Sequence, residues 1–132
     1  MSQTYIPVAL RQLVVERAAD RCEYCQIHQN DGLILHQPDH IIAEQHGGKT
    51  GEDNLALACI DCNRYKGPNI ASIDPETQNL TPLFNPRTQT WSDHFAFDAG
   101  YINGLTAVGR VTIHILRINT YRRVQIRRYL LP

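Results

Sequence analysis

The four cysteines constrain this chain more than any other feature of its sequence. They form two Cys-x-x-Cys pairs, Cys22 with Cys25 and Cys59 with Cys62. Two residues between the thiolates allow both sulfurs to reach ~2.3 Å from one tetrahedral ion while the chain turns. Two such pairs, a few tens of residues apart, are typical of a four-cysteine Zn²⁺ site. Because four thiolates fill the coordination sphere, the predicted zinc site is structural and not catalytic.

Two disulfides are the alternative reading of the same four cysteines. Disulfides persist in secreted proteins, whereas thiols stay reduced in the cytosol. Residues 1–7 have neither a basic start nor an apolar stretch, so they do not resemble a signal peptide. A redox Cys-x-x-Cys site usually needs only one pair. We therefore expect a cytoplasmic protein whose reduced cysteines bind zinc.

Length and composition favour one globular domain spanning residues 1–132. The chain is 42% apolar and 20% charged, which argues against disorder and against a disulfide-dense scaffold. No apolar run approaches the ~20 residues that a membrane-spanning helix needs, so we expect no membrane partner. The oligomeric state is left open by the sequence.

The charges are unevenly distributed although the net charge is zero. Residues 1–98 contain all thirteen acidic residues and seven basic ones, whereas residues 99–132 contain six arginines and no acid. A polarised chain can bind a polyanion through one face, so a neutral total does not exclude nucleic acid.

The apolar pattern predicts a mixed α+β fold. A helix is expected from Pro7 to about Ala19, extended segments at 33–36 and 40–42, a short strand at 55–58 and a short helix at 59–66. The core is expected at about 18–67, with an extension over about 69–132. Residues 69–98 are predicted to form an irregular arm anchored in the core by Phe84, Trp91 and Phe95. A helix follows from Thr106, and a second helix runs to Leu130, with Asn119 or Thr120 as its cap.

An ordered set of polar residues lies within the cysteine frame. Asp39-His40-Ile41-Ile42, Gly47-Gly48 and Asp53-Asn54-Leu55 lie between the two pairs, and Asn63, Arg64 and Lys66-Gly67 follow the last cysteine. Each element alone is weakly informative, but their order within two Cys-x-x-Cys pairs resembles the HNH endonuclease family over about residues 18–67. The resemblance implies a ββα-metal core, a hairpin and a helix around one catalytic divalent ion, clamped by the separate zinc.

The resemblance also implies a role for each matched residue. His40 matches the general base that activates water, and Asp39 matches the metal ligand beside it. Asn54 matches the Asn that fixes the hairpin loop and orients the base. Asn63 takes the place of the last His of the motif as a metal ligand. Oxygen ligands at Asp39 and Asn63 favour Mg²⁺ or Mn²⁺ over softer ions.

Basic residues are the candidates for phosphate contacts. Lys66 and Arg64 follow the motif directly, and a second group lies on the predicted C-terminal helix: Arg122, Arg123, Arg127 and Arg128. The alternative for the second group is a solvated helix face paired with acids of the N-terminal half. His46, in the glycine-rich loop, is a further candidate for approaching DNA or the metal.

These observations favour a metal-dependent DNA endonuclease. Histidine suits the base because its ordinary pKa lies near neutrality. Two alternatives stay open: a zinc-stabilised nucleic-acid-binding module that does not cut, and a protein-interaction adaptor that uses the C-terminal arm.

Overall fold

A computed structural model describes residues 5–130 as five helices and three two-stranded antiparallel sheets. The elements are, in chain order, α1 (Val8–Arg17), β1 (Gln37–His40), β2 (Leu55–Ala58), α2 (Ile60–Lys66), β3 (Ala71–Ile73), β4 (Leu80–Pro82), α3 (Trp91–His94), β5 (Phe95–Asp98), β6 (Tyr101–Gly104), α4 (Ala107–Leu116) and α5 (Tyr121–Leu130). The α+β class predicted from the sequence is confirmed. No helix in the described part of the chain is long and apolar enough to cross a bilayer.

The hairpin β1–β2 and helix α2 form the predicted ββα unit. Asp39 pairs with Ala56 and His40 with Leu55 across the hairpin. All four residues of β2 are buried: Leu55 and Leu57 pack with Val14 of α1 in a small apolar cluster, and Ala56 and Ala58 belong to the main core. The extended segment expected at 33–36 is displaced: residues 33–35 are exposed, and strand β1 begins only at Gln37.

A tight knuckle connects α1 to the first cysteine pair. Three residues around it, Ala19, Asp20 and Gln26, have left-handed backbones with φ of 53°, 63° and 69°. The Cys22 amide donates to the Ile27 carbonyl at 2.9 Å, and the Cys25 amide donates to Cys22 Sγ at 3.4 Å. These bonds hold the chain in the reversal that a Cys-x-x-Cys metal knuckle requires.

The prediction of an irregular arm over 69–98 is wrong. This stretch contains the hairpin β3–β4, helix α3 and strand β5, and β5 pairs with β6. The strands of the first hairpin are only three residues long, too short for a period-two pattern to show. The turn between them is instead held by the carboxylate of Asp74, which accepts hydrogen bonds from the amides of Glu76 and Thr77.

The extension packs onto the cysteine-rich core through one continuous apolar cluster. Phe84 and Phe95 are buried and meet edge to face, and Trp91 stacks on Phe95. The prediction that these three aromatics anchor the arm is confirmed. Helix α4 begins where expected, because the Thr106 hydroxyl accepts a hydrogen bond from the Gly109 amide at 3.1 Å.

Candidate active site and metal centre

The four cysteines converge on one point in the interior. Their sulfur atoms all lie within 4.8 Å of one another, and all four side chains are buried. The Cys25 and Cys59 sulfurs are 3.6 Å apart, close to the ~3.8 Å edge of a tetrahedron whose metal–sulfur bonds are ~2.3 Å. All four cysteines are free, so the fold contains neither of the two disulfides of the alternative reading. The cluster is positioned for zinc.

Local structure prepares the cysteines for a metal. Cys59 caps α2, with its Sγ accepting from the Cys62 amide at 3.3 Å. Hydrogen bonding with Cys22, the largest of several such contacts, lowers the pKa of Cys25 well below its ordinary value, whereas burial raises the pKa of Cys22 and Cys62. Bonds from N–H groups to sulfur favour the thiolate, which is the form that binds metal.

An open cleft of about 700 Å³ is lined in part by residues of β1 and α2. Asp39 and His40 reach it from the end of β1, and Asn63 reaches it from α2. The structure therefore brings together three of the side chains that the sequence singled out. A carboxylate and an amide are oxygen donors suited to a hard divalent ion.

Asp39 is a buried acid with a buried base beside it. Lys66 Nζ lies 3.0 Å from Asp39 Oδ2 and also donates to the His40 carbonyl at 3.0 Å. The Lys66 contact is an ion pair without hydrogen-bond alignment, so Oδ2 is a buried oxygen that no described residue satisfies by a hydrogen bond. Burial raises the pKa of the Asp39 carboxyl, and the charge of Lys66 opposes that rise. A carboxylate left in this condition fits a cation ligand.

The position of Lys66 corrects one prediction. Lys66 was expected to hold a phosphate at the site, but its side chain is only 3% exposed. Its ammonium group is committed to Asp39 and to the backbone of His40. The sequence conceals this because a lysine at the end of a short helix ordinarily faces solvent.

His40 is held by a hydroxyl group from the glycine-rich loop. Its Nε2 lies 2.8 Å from Thr50 Oγ1, and no described residue makes a hydrogen bond to its Nδ1. When Nε2 carries the proton and donates to Thr50, Nδ1 is the free acceptor. Thr50 was not identified from the sequence, where a threonine in a polar loop has no distinguishing signal.

Asn54 acts on the loop and not on the cleft. Its Oδ1 accepts from the Ile42 amide at 2.9 Å, and its Nδ2 donates to the carbonyls of Ile42 and Lys49. Gly48 lies against the same group, since a Cβ there would fall 1.7 Å from the Ile42 carbonyl oxygen. Asn54 thus ties together the loop that carries Thr50.

The C-terminal arginines divide into two groups. Arg122 and Arg128 are exposed, as a phosphate contact requires, and Arg122 forms an ion pair with Asp61. Arg123 and Arg127 are 0% and 1% exposed. Neither a phosphate contact nor a solvated face fits Arg123 and Arg127, because α5 packs its i and i+4 positions, 123 and 127, into the core. For Arg122 and Arg128 a phosphate contact stays a prediction.

Two other cations border the cleft. Arg64 is exposed and pairs with Asp61, and Arg11 reaches the cleft from α1, where its Nη1 donates to Gln37 Oε1 at 2.9 Å. Sequence reasoning missed Arg11, since nothing in a lone helical arginine shows which element it faces. Glu44 also lines the cleft, whereas His46 is exposed and lies outside it.

Comparison with known proteins agrees with this geometry. The family model described as HNH endonuclease matches residues 22–69, from the first cysteine past the end of α2. No curated protein and no solved structure matches the chain. The matched segment contains both cysteine pairs and every residue of the hairpin–helix unit that faces the cleft. Residues 22–69 therefore match an HNH endonuclease domain.

Proposed function

We propose that the protein is a DNA endonuclease that hydrolyses phosphodiester bonds at the cleft between β1 and α2. The observation that carries the proposal is the convergence of Asp39, His40 and Asn63 on one open cleft inside a segment matched by the HNH endonuclease family. Structural zinc on the four cysteines and a separate Mg²⁺ or Mn²⁺ ion on Asp39 and Asn63 are part of the proposal.

Each residue has a defined task in this mechanism. His40, with its Nε2 proton directed at Thr50, takes a proton from water at Nδ1 as the water attacks phosphorus. Asp39 and Asn63 would hold the divalent ion, which when bound supplies stabilisation of charge on the phosphoryl group and the departing oxygen. Arg11 and Arg64 bind neighbouring phosphates from the two sides of the cleft. Lys66 keeps Asp39 ionised in a buried position.

A plasmid-cleavage assay tests the proposal. We expect nicking of supercoiled DNA with Mg²⁺ or Mn²⁺ and none with EDTA. His40→Ala should lose about 10²–10⁴-fold in rate, the usual contribution of a general base. His114→Ala is the matched control, because His114 is an exposed histidine on α4 outside the cleft. Equal cleavage by the two variants would remove His40 from the mechanism.

A zinc-stabilised module that binds DNA without cutting is the second candidate. The ion pair of Lys66 with Asp39 favours it, because an ammonium group already neutralises the only acidic ligand assigned to the catalytic ion. Metal-independent DNA binding with no cleavage under any divalent ion would support this candidate. Cleavage that depends on Asp39, measured with Asp39→Asn, would exclude it.

A further inference from the structure

Helix α5 buries two arginines, Arg123 and Arg127, and few carboxylates lie near enough to neutralise their charge. Arg127 forms no ion pair with any described carboxylate, and Arg123 has only Asp61, whose Oδ2 lies 3.9 Å from Arg123 Nε. Asp61 is also engaged by two exposed arginines, Arg64 and Arg122. A buried charge without a partner is costly, so these two guanidinium groups need a further source of negative charge.

The cysteine cluster is adjacent to the first of them. Arg123 Nη1 donates to Cys62 Sγ at 3.1 Å. The same guanidinium group is fixed from the other side, where Nη2 donates to the Leu116 carbonyl at 2.6 Å and to the Arg117 carbonyl. The end of α4 therefore aims the Arg123 side chain at a metal-binding sulfur.

Arg127 is held by neutral groups alone. Its Nε donates to the Gly100 carbonyl at 2.7 Å, and its Nη2 donates to the Ile118 carbonyl at 2.9 Å. Burial lowers the pKa of this arginine, and no described carboxylate forms an ion pair with it.

The cysteine cluster and Arg123 have opposite charges. Four thiolates around Zn²⁺ leave a net charge of minus two, which the guanidinium group of Arg123, in contact with Cys62 Sγ, partly offsets. We propose that Arg123 is a counter-charge of the zinc tetrathiolate, so that helix α5 is part of the zinc site and zinc stabilises its docking. This inference rests on the proposed zinc occupancy and not on the proposed cleavage.

The coupling runs in both directions because linkage is reciprocal. Zinc strengthens the docking of α5, and Arg123 strengthens the binding of zinc. Groups that hydrogen-bond to metal ligands typically change metal affinity by about 10–100-fold when they are removed. We expect a loss of that size from Arg123→Met, which keeps much of the volume and removes the charge and all N–H donors.

Competition with a chromogenic chelator measures the effect on zinc affinity. Arg122→Met is the matched control, because Arg122 precedes Arg123 on the same helix and is exposed. The control should bind zinc within about twofold of the wild type. Loading with Co²⁺ adds a spectroscopic readout, since loss of the hydrogen bond to Cys62 should shift the thiolate-to-cobalt charge-transfer band in Arg123→Met alone. Equal zinc affinity in the two variants would overturn the proposal.

A double-mutant cycle separates charge from packing. Cys59→His lowers the negative charge of the zinc site by one and leaves the contact of Arg123 with Cys62 in place. If the opposite charges are the reason for the coupling, Arg123→Met should cost less zinc affinity in the Cys59→His background than in the wild type. An equal cost in both backgrounds would assign Arg123 a packing role and contradict its role as a counter-charge.

If Arg123→Met does not fold, amide hydrogen exchange of the wild-type protein with and without zinc tests the coupling between zinc and α5 instead. Removing zinc should increase amide exchange in residues 121–129 more than in α1. Unchanged exchange in α5 would refute the coupling. A wild-type protein that binds no zinc would end this inference and the zinc part of the proposed function together, whereas the cleavage assay tests the cleft residues separately.

Discussion

Thr50 is the residue that sets the orientation of the proposed base. Its Oγ1 lies 2.8 Å from His40 Nε2 and shares a hydrogen bond with it. Thr50 does not line the cleft, so we expect it to act through His40 and not on DNA. Thr50→Val removes the hydrogen bond at nearly constant shape. We expect it to lower kcat by part of the ~10²–10⁴-fold that the base contributes, with KM for DNA unchanged.

Thr50→Ser is the control for the Thr50 prediction, because it restores the hydroxyl group. Single-turnover cleavage at saturating enzyme separates the chemical step from binding. A Thr50→Val enzyme that is as fast as Thr50→Ser would show that His40 is oriented by other contacts.

Lys66 is expected to be the most sensitive single position for stability in the ββα unit. Lys66→Met leaves the Asp39 carboxylate buried without its cation, a change that typically costs about 3–5 kcal/mol. Urea unfolding should show this loss, and Mn²⁺ should restore part of it by supplying positive charge at Asp39. Arg64→Met, at an exposed ion pair, should cost no more than about 1 kcal/mol. Similar losses for both variants would contradict the assignment of a buried ion pair.

At the scale of single residues, the sequence indicates which chemical groups could form the site, but it does not show whether each side chain faces solvent or the core. The ordered motif that resembles the HNH endonuclease family predicted that Asp39, His40 and Asn63 share a site, and all three line the cleft. Local spacing does not report whether a cation faces solvent or the core, since that depends on which element packs against it. Lys66 and Arg123 were therefore misassigned, although both were placed on the correct helices.

Among the secondary-structure elements, helix α4 is held against the hairpin β3–β4 by Arg110, which forms ion pairs with Asp74 and with the exposed Glu76. Arg110 donates Nε and Nη2 to the two oxygens of Asp74 at 3.1 and 2.9 Å, and Asp74 is buried. These bonds hold the pKa of Asp74 well below its ordinary value. A carboxyl group whose pKa is lowered by folding stabilises the folded state above its unfolded pKa and loses that contribution as the pH falls.

Asp74→Asn tests this ion pair through its pH dependence. At neutral pH the variant should be less stable than the wild type, because it loses the charge on the carboxylate. The difference in the free energy of unfolding should shrink as the pH is lowered below about 4, the unfolded pKa of aspartate. Urea unfolding at a series of pH values measures the difference. A gap that stays constant down to strongly acidic pH would show that the charge of Asp74 contributes nothing.

The elements of the N-terminal half were largely predictable, and those of the middle were not. Strand β2 is a short apolar run, and the helices α1 and α2 have end signals, Pro7 and Gly67. The hairpins β3–β4 and β5–β6 are short and are defined by turn hydrogen bonds and by packing of Phe95 and Ile102 against α4. Tertiary contacts of this kind leave no periodic signal in a short window of sequence.

Across the whole molecule, the distribution of exposed cations determines how DNA would be held. With Arg123 and Arg127 buried, Arg11 and Arg64 are the arginines that border the cleft. Replacing both by Gln should reduce the slope of log K against log salt by about 1.8, since each phosphate contact on duplex DNA contributes about 0.9. Fluorescence anisotropy over a range of salt concentrations provides the measurement.

Arg122 and Arg128 supply the comparison for the salt experiment. They are exposed on α5 and do not line the cleft. Replacing this pair by Gln should leave the slope nearly unchanged. A larger change from the α5 pair than from the cleft pair would place the DNA on the C-terminal helix and contradict binding at the cleft.

The fluorescence of Trp91 reports on the contact between the first cysteine knuckle and the extension. Trp91 is the only tryptophan in the chain, its indole Nε1 donates to the Tyr24 carbonyl at 2.9 Å within the first cysteine knuckle, and its ring stacks on Phe95. Intrinsic emission excited at the red edge of protein absorbance therefore arises at the contact between the knuckle and the extension. A change in that emission reports separation of these two parts, even where the far-ultraviolet signal of the helices stays constant.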